Sequence, residues 1–214
     1  MVDYAIFGPP GAGKGTQAAA LCHALGVEHF STGDAFRSSI KRGSALGAVV
    51  RGYMERGELV SDELVLSVVS DELAQRFGGV LFDGFPRTVV QASGLLELLS
   101  RSGRALGGVI NLLVEVDTVV SRIALRRSCP SCNAVYHLKA SPSKVEGVCD
   151  RCSATLIHRA DDRPDVVAHR LAVYFEQTAP VIDYLRERVP VIDVDGERSV
   201  DVVSASILAG LQSH

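Results

Sequence analysis

Gly8-Pro9-Pro10-Gly11-Ala12-Gly13-Lys14-Gly15-Thr16 is the stretch that decides the fold. It fits the pattern G-x-x-x-x-G-K, with the hydroxyl residue one place later than in the usual G-K-[ST]. Glycines at these places let successive backbone N–H groups turn inward around phosphate oxygens, a following helix adds its N-terminal dipole, and Lys14 reaches the outer phosphates. Asp3 to Phe7, just before, reads as a buried strand; Lys14 to Leu25, just after, reads as an alanine-rich helix. A tight Gly-Pro turn is the plain alternative, and the strand before and helix after it favour the phosphate-binding reading.

Outward from the loop the same rhythm returns. Val80-Leu81-Phe82 and Val109-Ile110-Asn111-Leu112-Leu113-Val114 are short apolar runs, each followed by a helical pattern, and Val189 to Val194 precedes a last helix. Repeated strand-then-helix order implies a parallel sheet with right-handed crossovers. Lys41 to Gly57 and Ser128 to His158 break the rhythm and read as insertions outside the sheet. Asp83 closes one of the apolar runs, which sets its carboxylate at the C-terminal edge of a strand, where open α/β sheets bind ligands. Read alone, it is equally a turn aspartate before Gly84.

A chain of 214 residues that is 47% hydrophobic can bury one sizeable core. A net charge of -3 gives no general field for nucleic acid or an anionic membrane, so phosphate binding must be local. Only Lys14, Lys41, Lys139 and Lys144 are lysines among 22 basic residues, so an arginine carries meaning only where a motif places it. Arg101, Arg104 and Arg127 are read as solvated charges. The N-terminus lacks the basic start and long apolar stretch of a signal peptide, and no run reaches the roughly 18 to 20 apolar residues of a membrane span, so a cytoplasmic location is expected.

Four of the five cysteines stand in two pairs, Cys129-Pro130-Ser131-Cys132 and Cys149-Asp150-Arg151-Cys152, with sixteen residues between. That spacing fits a structural zinc site, where four thiolates close the tetrahedron and leave no position for water or substrate. Asn133 and Ser153 occupy the places where such knuckles usually carry glycine. Asn tolerates the left-handed backbone better than Ser does, so strain is expected in the second knuckle. The fifth, Cys22, reads as a buried small apolar residue on the first helix.

From the loop onward the sequence resembles the adenylate kinases of the long-lid, zinc-bearing type along nearly its whole length. The resemblance rests on Gly8 to Gln17, Ser31-Thr32-Gly33-Asp34 with Arg37, Gly57 to Glu63, Asp83-Gly84-Phe85-Pro86-Arg87-Thr88 with Gln91, Arg122 with Arg126, Tyr136-His137, Arg159-Ala160-Asp161-Asp162, and Arg170, in that order. It implies an α/β fold with a P-loop NTPase-type parallel five-stranded sheet and helices on both faces. It divides the chain into a core (1-30, 61-122 and 163-214), an NMP-binding insertion (31-60) and a lid with the cysteines (123-162). It also implies reversible, Mg²⁺-dependent transfer of the terminal phosphoryl group of ATP to AMP by a monomer.

The resemblance also assigns residues. Lys14, Arg87, Arg126, Arg159 and Arg170 are the expected catalytic groups. Gly11, Ala12, Gly13, Lys14, Gly15, Thr16, Arg122, Arg126, Tyr136 and Arg198 face ATP. Thr32, Arg37, Glu58, Leu59, Val60, Gly84, Arg87, Gln91, Arg159 and Arg170 face AMP, with Thr32 and Gln91 reading the adenine edge. Asp83 holds magnesium through water, and Cys129, Cys132, Cys149 and Cys152 hold structural zinc. His137 falls in the lid near the ATP ribose or base, and the other histidines have no evident partners. A kinase for another monophosphate, or one using GTP, is the nearest rival. A nucleotide-dependent nucleic-acid binder is a further one, but it needs a basic surface and aromatic stacking residues, whereas the net charge is negative and the cysteine-bearing insertion has one Tyr and no Phe or Trp.

Overall fold

The structure, a computed structural model, describes residues 1–213; His214, the last residue of the expected core segment, lies outside the described residues. A five-stranded sheet is built from β1 (Val2–Phe7), β2 (Val27–Ser31), β3 (Gly79–Asp83), β4 (Ala105–Leu113) and, far along the chain, a strand at Val191–Asp195. Its order places β2 at one edge, then β3, β1, β4 and the Val191–Asp195 strand, every neighbour parallel. The parallel sheet with helices around it is the fold class expected from sequence.

Side-chain alternation along β1 divides the core. Ala5 and Phe7 face one side with Phe30, Val80, Phe82 and Val109, covered by Val65, Val69 and Leu73 of α4 (Asp62–Ala74) and Ala92, Leu95 and Leu99 of α5 (Val89–Arg101). Ile6 faces the other side with Leu81, Ile110 and Leu112, covered by Ala18 and Leu21 of α1 (Lys14–Leu25) and by a C-terminal helix. Both faces are dry, which is why these strands read as continuous apolar runs. Cys22 lies half-buried on α1 against the second cluster, and burial pushes its thiol up to about 11.

Between β2 and α4 stand α2 (Thr32–Lys41) and α3 (Ala45–Arg56), which pack on each other. Lys41 to Gly57, read as an insertion outside the sheet, is mostly helix. Gly47 lets the two helices touch: a Cβ there would clash with the Ser39 carbonyl oxygen. After α6 (Val116–Ala124) the chain leaves the main sheet and forms a small antiparallel one, β5 (Arg126–Ser128) with β6 (Val135–His137). A bridge from Ser128 to Ile157 returns it to α7 (Pro164–Val173), a π-helical turn over 174–178 and α8 (Ala179–Arg186). The edge strand Val191–Asp195 is β7, and α9 (Val200–Gln212) contributes Val203 and Ile207 to the second cluster.

One sequence expectation is overturned at the far end of the sheet. Arg104, read as a solvated charge, is buried, and it donates to both carboxylate oxygens of Asp3 at 2.9 and 2.5 Å and to the Gly78 carbonyl at 2.8 Å. The Val80 N–H completes the shell of Asp3 at 2.7 Å. A bidentate guanidinium–carboxylate pair with its remaining lone pairs and protons satisfied is one of the few ways two charges survive burial.

Candidate active site

The loop of residues 8–13 lies at the carboxyl end of the central strand. Gly8, Gly11 and Gly13 take φ of 143°, 85° and 99°, values that side chains disfavour. Gly13 begins α1 with no side-chain cap, and the N–H groups of Lys14 and Gly15 have no protein acceptor among the described hydrogen bonds. Such a helix start is a prepared anion site. Lys14 arches over it, its ammonium donating to the carbonyls of Gly8 at 2.7 Å and Pro9 at 3.0 Å. Burial above all, and then Arg87, Arg170 and Arg126, press its pKa down to about 8 against the pull of Asp83.

Register sets Asp83 directly beside this loop, since Ile6 of β1 pairs with Asp83 of β3. One carboxylate oxygen meets His29 Nε2 at 3.2 Å, and the other has no protein partner among the described residues. Burial opposes ionisation, but the His29 hydrogen bond and the charge of Lys14 outweigh it and hold the carboxyl below its usual range. A buried, ionised carboxylate with one free oxygen next to an anion site suits a hydrated magnesium. His29 had no evident role in the sequence; the parallel register of β2 on β3 supplies it.

Arginines converge on the same mouth from several elements. Arg126, at the start of β5, donates through both Nε and Nη2 to Asp162. Arg170 on α7 donates to the carbonyl of Asp161 at 2.8 Å and to its carboxylate at 3.0 Å. Arg37 on α2 donates to Asp34 at 2.6 Å. Arg87 donates to the Gly84 carbonyl at 2.7 Å. The Arg159 guanidinium, by contrast, has no hydrogen-bond or ion-pair partner among the described residues. Its pKa falls to about 10 through burial and then the nearness of Arg37 and Arg126; Arg87 falls to about 10 through burial and then Arg170. Like charges held together while partly desolvated store an attraction for a polyanion. Asp161 and Asp162, quoted in the sequence motif without a role, anchor this array.

Gly57 lets the insertion approach it. At φ 75° a Cβ there would meet Arg170 Cγ at 2.7 Å. Glu58 and Leu59 follow half-buried and Val60 buried, with Glu58 paired to Arg56 at 2.7 Å.

The two residues expected to read a base are both tied into the scaffold. Ser31, not Thr32, caps α2, and the Thr32 hydroxyl instead donates to Gly84 O at 2.9 Å. Gln91 accepts from Arg87 N–H and donates to Asp62, each at 2.8 Å, leaving one amide hydrogen and one lone pair. Arg122 lies on the other side of the loop, donating to Gly196 O at 3.0 Å and more weakly to Ala12 O. Arg198 is exposed and pairs with Asp195 at 2.9 Å.

Tyr136, expected against ATP, turns its ring into the cysteine cluster: its hydroxyl accepts the Asp150 N–H at 2.8 Å and lies 3.5 Å from Cys149 Sγ. His137 is occupied by its own turn, with Nδ1 accepting from Lys139 and Ala140.

The four Sγ atoms of Cys129, Cys132, Cys149 and Cys152 lie within 4.8 Å of one another. A tetrahedron with metal–sulfur bonds of about 2.3 Å has edges of about 3.8 Å, so the set fits zinc. Backbone N–H groups of Ser131 and Cys132 already point at Cys129 Sγ. Asn133 and Ser153 both stand at φ 59°, the left-handed conformation their places in the knuckles demand.

A sequence profile described as "Adenylate kinase" matches residues 6–189 of this chain. The chain belongs to the adenylate kinase family. It is 44% identical over 213 residues to the adenylate kinase of Methanocella arvoryzae, covering 99% of both chains, and 45% identical over 209 residues to that of Carboxydothermus hydrogenoformans, covering 97% and 98%. The adenylate kinase of Clostridioides difficile is 43% identical over 210 residues, covering 97% of each. The family's reaction is ATP:AMP phosphotransfer, and this chain is an enzyme of that class: the terminal phosphoryl group of ATP passes reversibly to AMP, giving two ADP.

A pH dependence follows from Lys14. With its pKa lowered to about 8, the free enzyme loses the ammonium as pH rises through that value. kcat/KM for ATP is therefore expected to fall above about pH 8. Saturating ATP favours the charged form, so the fall in kcat is expected at higher pH. Steady-state profiles from pH 6.5 to 9.5 check this, and a kcat/KM that stays flat across the range contradicts it.

Proposed function

We propose that the reaction runs by positioning and charge alone, with no covalent intermediate, and that the residue roles are these. The loop Gly11 to Thr16 cradles the ATP phosphates, with Lys14 on the outer ones. Arg37 and Arg87 grip the phosphate of AMP with planar forks that match it. Arg126, Arg159 and Arg170 surround the transferred group, where charge spreads over three oxygens in the transition state. Arg122 and Arg198 lie on the side of the ATP base. Thr32, Gln91, Gly84 and the segment Glu58-Leu59-Val60 line the acceptor base.

Bound magnesium would neutralise charge on the ATP phosphates, and Asp83, steadied by His29, would hold its waters. Zinc is the metal that the four cysteines would hold. The divisions 1-30, 61-122 and 163-214 for the core, 31-60 for the acceptor insertion and 123-162 for the lid complete the reading, as do a monomeric state and a cytoplasmic location. Among the described residues no helix is long and apolar enough to cross a membrane.

The observation that carries the proposal is the partnerless Arg159 among partly desolvated arginines at the mouth of a phosphate loop. The test is a panel of acceptors and donors in an assay coupled to ADP. AMP is expected to exceed CMP, UMP and GMP by roughly 10²–10⁴ in kcat/KM, because a wrong base leaves buried polar groups unpaired. Thr32→Ala should relax this only in part, since Gln91 remains. Comparable rates with CMP or UMP would move the acceptor assignment to a pyrimidine.

A further inference from the structure

The first cysteine knuckle touches the acceptor side directly. Lys41, the last residue of α2, donates from Nζ to the Ser131 carbonyl at 3.0 Å, across 90 residues of sequence. Asn133 Nδ2 lies 3.4 Å from Ser38 Oγ on the same helix. Both lid partners belong to the loop that folds around Cys129 Sγ, which accepts the N–H groups of Ser131 and Cys132 and so fixes where the Ser131 carbonyl points. Asn133 holds φ 59° at a place where glycine is the easier residue. Glycine there would make the turn but not the contact.

We propose that Lys41 and Asn133 are positioning residues that latch the cysteine-bearing insertion onto α2 and thereby couple the two nucleotide sites. The geometry links the latch to the chemistry. Arg37 stands one helical turn before Lys41 on α2, and Arg126 and Arg159 stand at the base of the insertion that carries Ser131 and Asn133. In the latched arrangement Arg37 is close enough to Arg159 to depress its pKa. Closing the latch brings acceptor-side and donor-side arginines to one place, where they repel until a polyphosphate lies between them. Two hydrogen bonds offset that repulsion, and ATP and AMP then favour the same closed state, so each raises the affinity of the other.

The inference rests on the acceptor and donor assignment above, and the test separates the two. AMP is titrated calorimetrically with and without a non-hydrolysable ATP analogue, using the metal-loaded wild type and the variants Lys41→Met, Asn133→Gly and Lys41→Arg. Lys41→Met and Asn133→Gly are each expected to lower the ATP–AMP coupling factor by about threefold to tenfold, the range for one solvent-accessible hydrogen bond. KM for both nucleotides should rise while kcat holds or increases, because opening releases product. Lys41→Arg should restore most of the coupling. Metal content and Tm should stay at wild-type values, since glycine suits the knuckle at least as well as asparagine. Unchanged coupling in both loss variants overturns the latch, and so does lowered coupling accompanied by loss of metal, which would make Asn133 a knuckle-folding residue. A wild type that binds no AMP removes the acceptor reading and the latch together.

Discussion

Lys14→Ala is expected to leave a folded protein whose kcat/KM falls by roughly 10²–10³ or more, the cost of removing one preorganised group from developing transition-state charge. Folding should survive because Lys14 contributes little to it: its ammonium is desolvated and lies among Arg87, Arg126 and Arg170, and its two hydrogen bonds go to carbonyls of its own loop. Lys14→Arg should fail to rescue, since a planar fork cannot replace a compact ammonium in the arch over Gly8 and Pro9. Stopped assays of ADP formation together with thermal melting check both halves. Near-normal turnover in Lys14→Ala would remove the lysine from the reaction.

How much of this was legible depends on distance along the chain. The strand, loop and helix from Asp3 to Leu25 were readable because every part of the signal is local: apolar run, glycines, lysine, alanines. Val27–Ser31 was not, since an edge strand with Glu28 and His29 at its centre has no apolar run to show. Arg104 misled for a similar reason. Its partner Asp3 lies 101 residues away, and only the pairing of β1 with β4 brings them together. The arginines of the site were found through the family motif, but their holders Asp161 and Asp162 were only quoted, because nothing in a run of two acids says which guanidinium each will take. The same holds for Gln91. Its place in the motif suggested a base contact, whereas the bond to Asp62 that fixes its orientation depends on how α4 packs on α5.

Removing the metal is expected to lower the melting temperature while sparing bond making, and the packing of the cysteine-bearing insertion gives the reason. Its own core consists of Cys129, Ala134, Tyr136 and Cys149, with Ala154 and Leu156 beside them. So little apolar area cannot offset the entropy of ordering about thirty residues, so a metal must supply the difference, of order 10 kcal/mol for small zinc modules. The thiols themselves call for a cation. A hydrogen bond from the Tyr136 hydroxyl draws Cys149 down to about 6, whereas Cys132 is pushed up: the Ala134 N–H favours its thiolate, but the three neighbouring sulfurs outweigh it. Without added positive charge the four cannot ionise together. Arg126 begins β5, and Arg159 follows the Ser128–Ile157 bridge by two residues, so loosening the module frees two arginines of the site and admits water to the phosphates. About one zinc per chain is expected in freshly purified, reduced protein. Chelation should lower Tm, and activity should persist at low temperature, where the insertion can still close. Metal analysis that finds neither zinc nor iron would defeat the site, and a Cys129→Ser variant as heat-stable as the wild type would defeat its structural role.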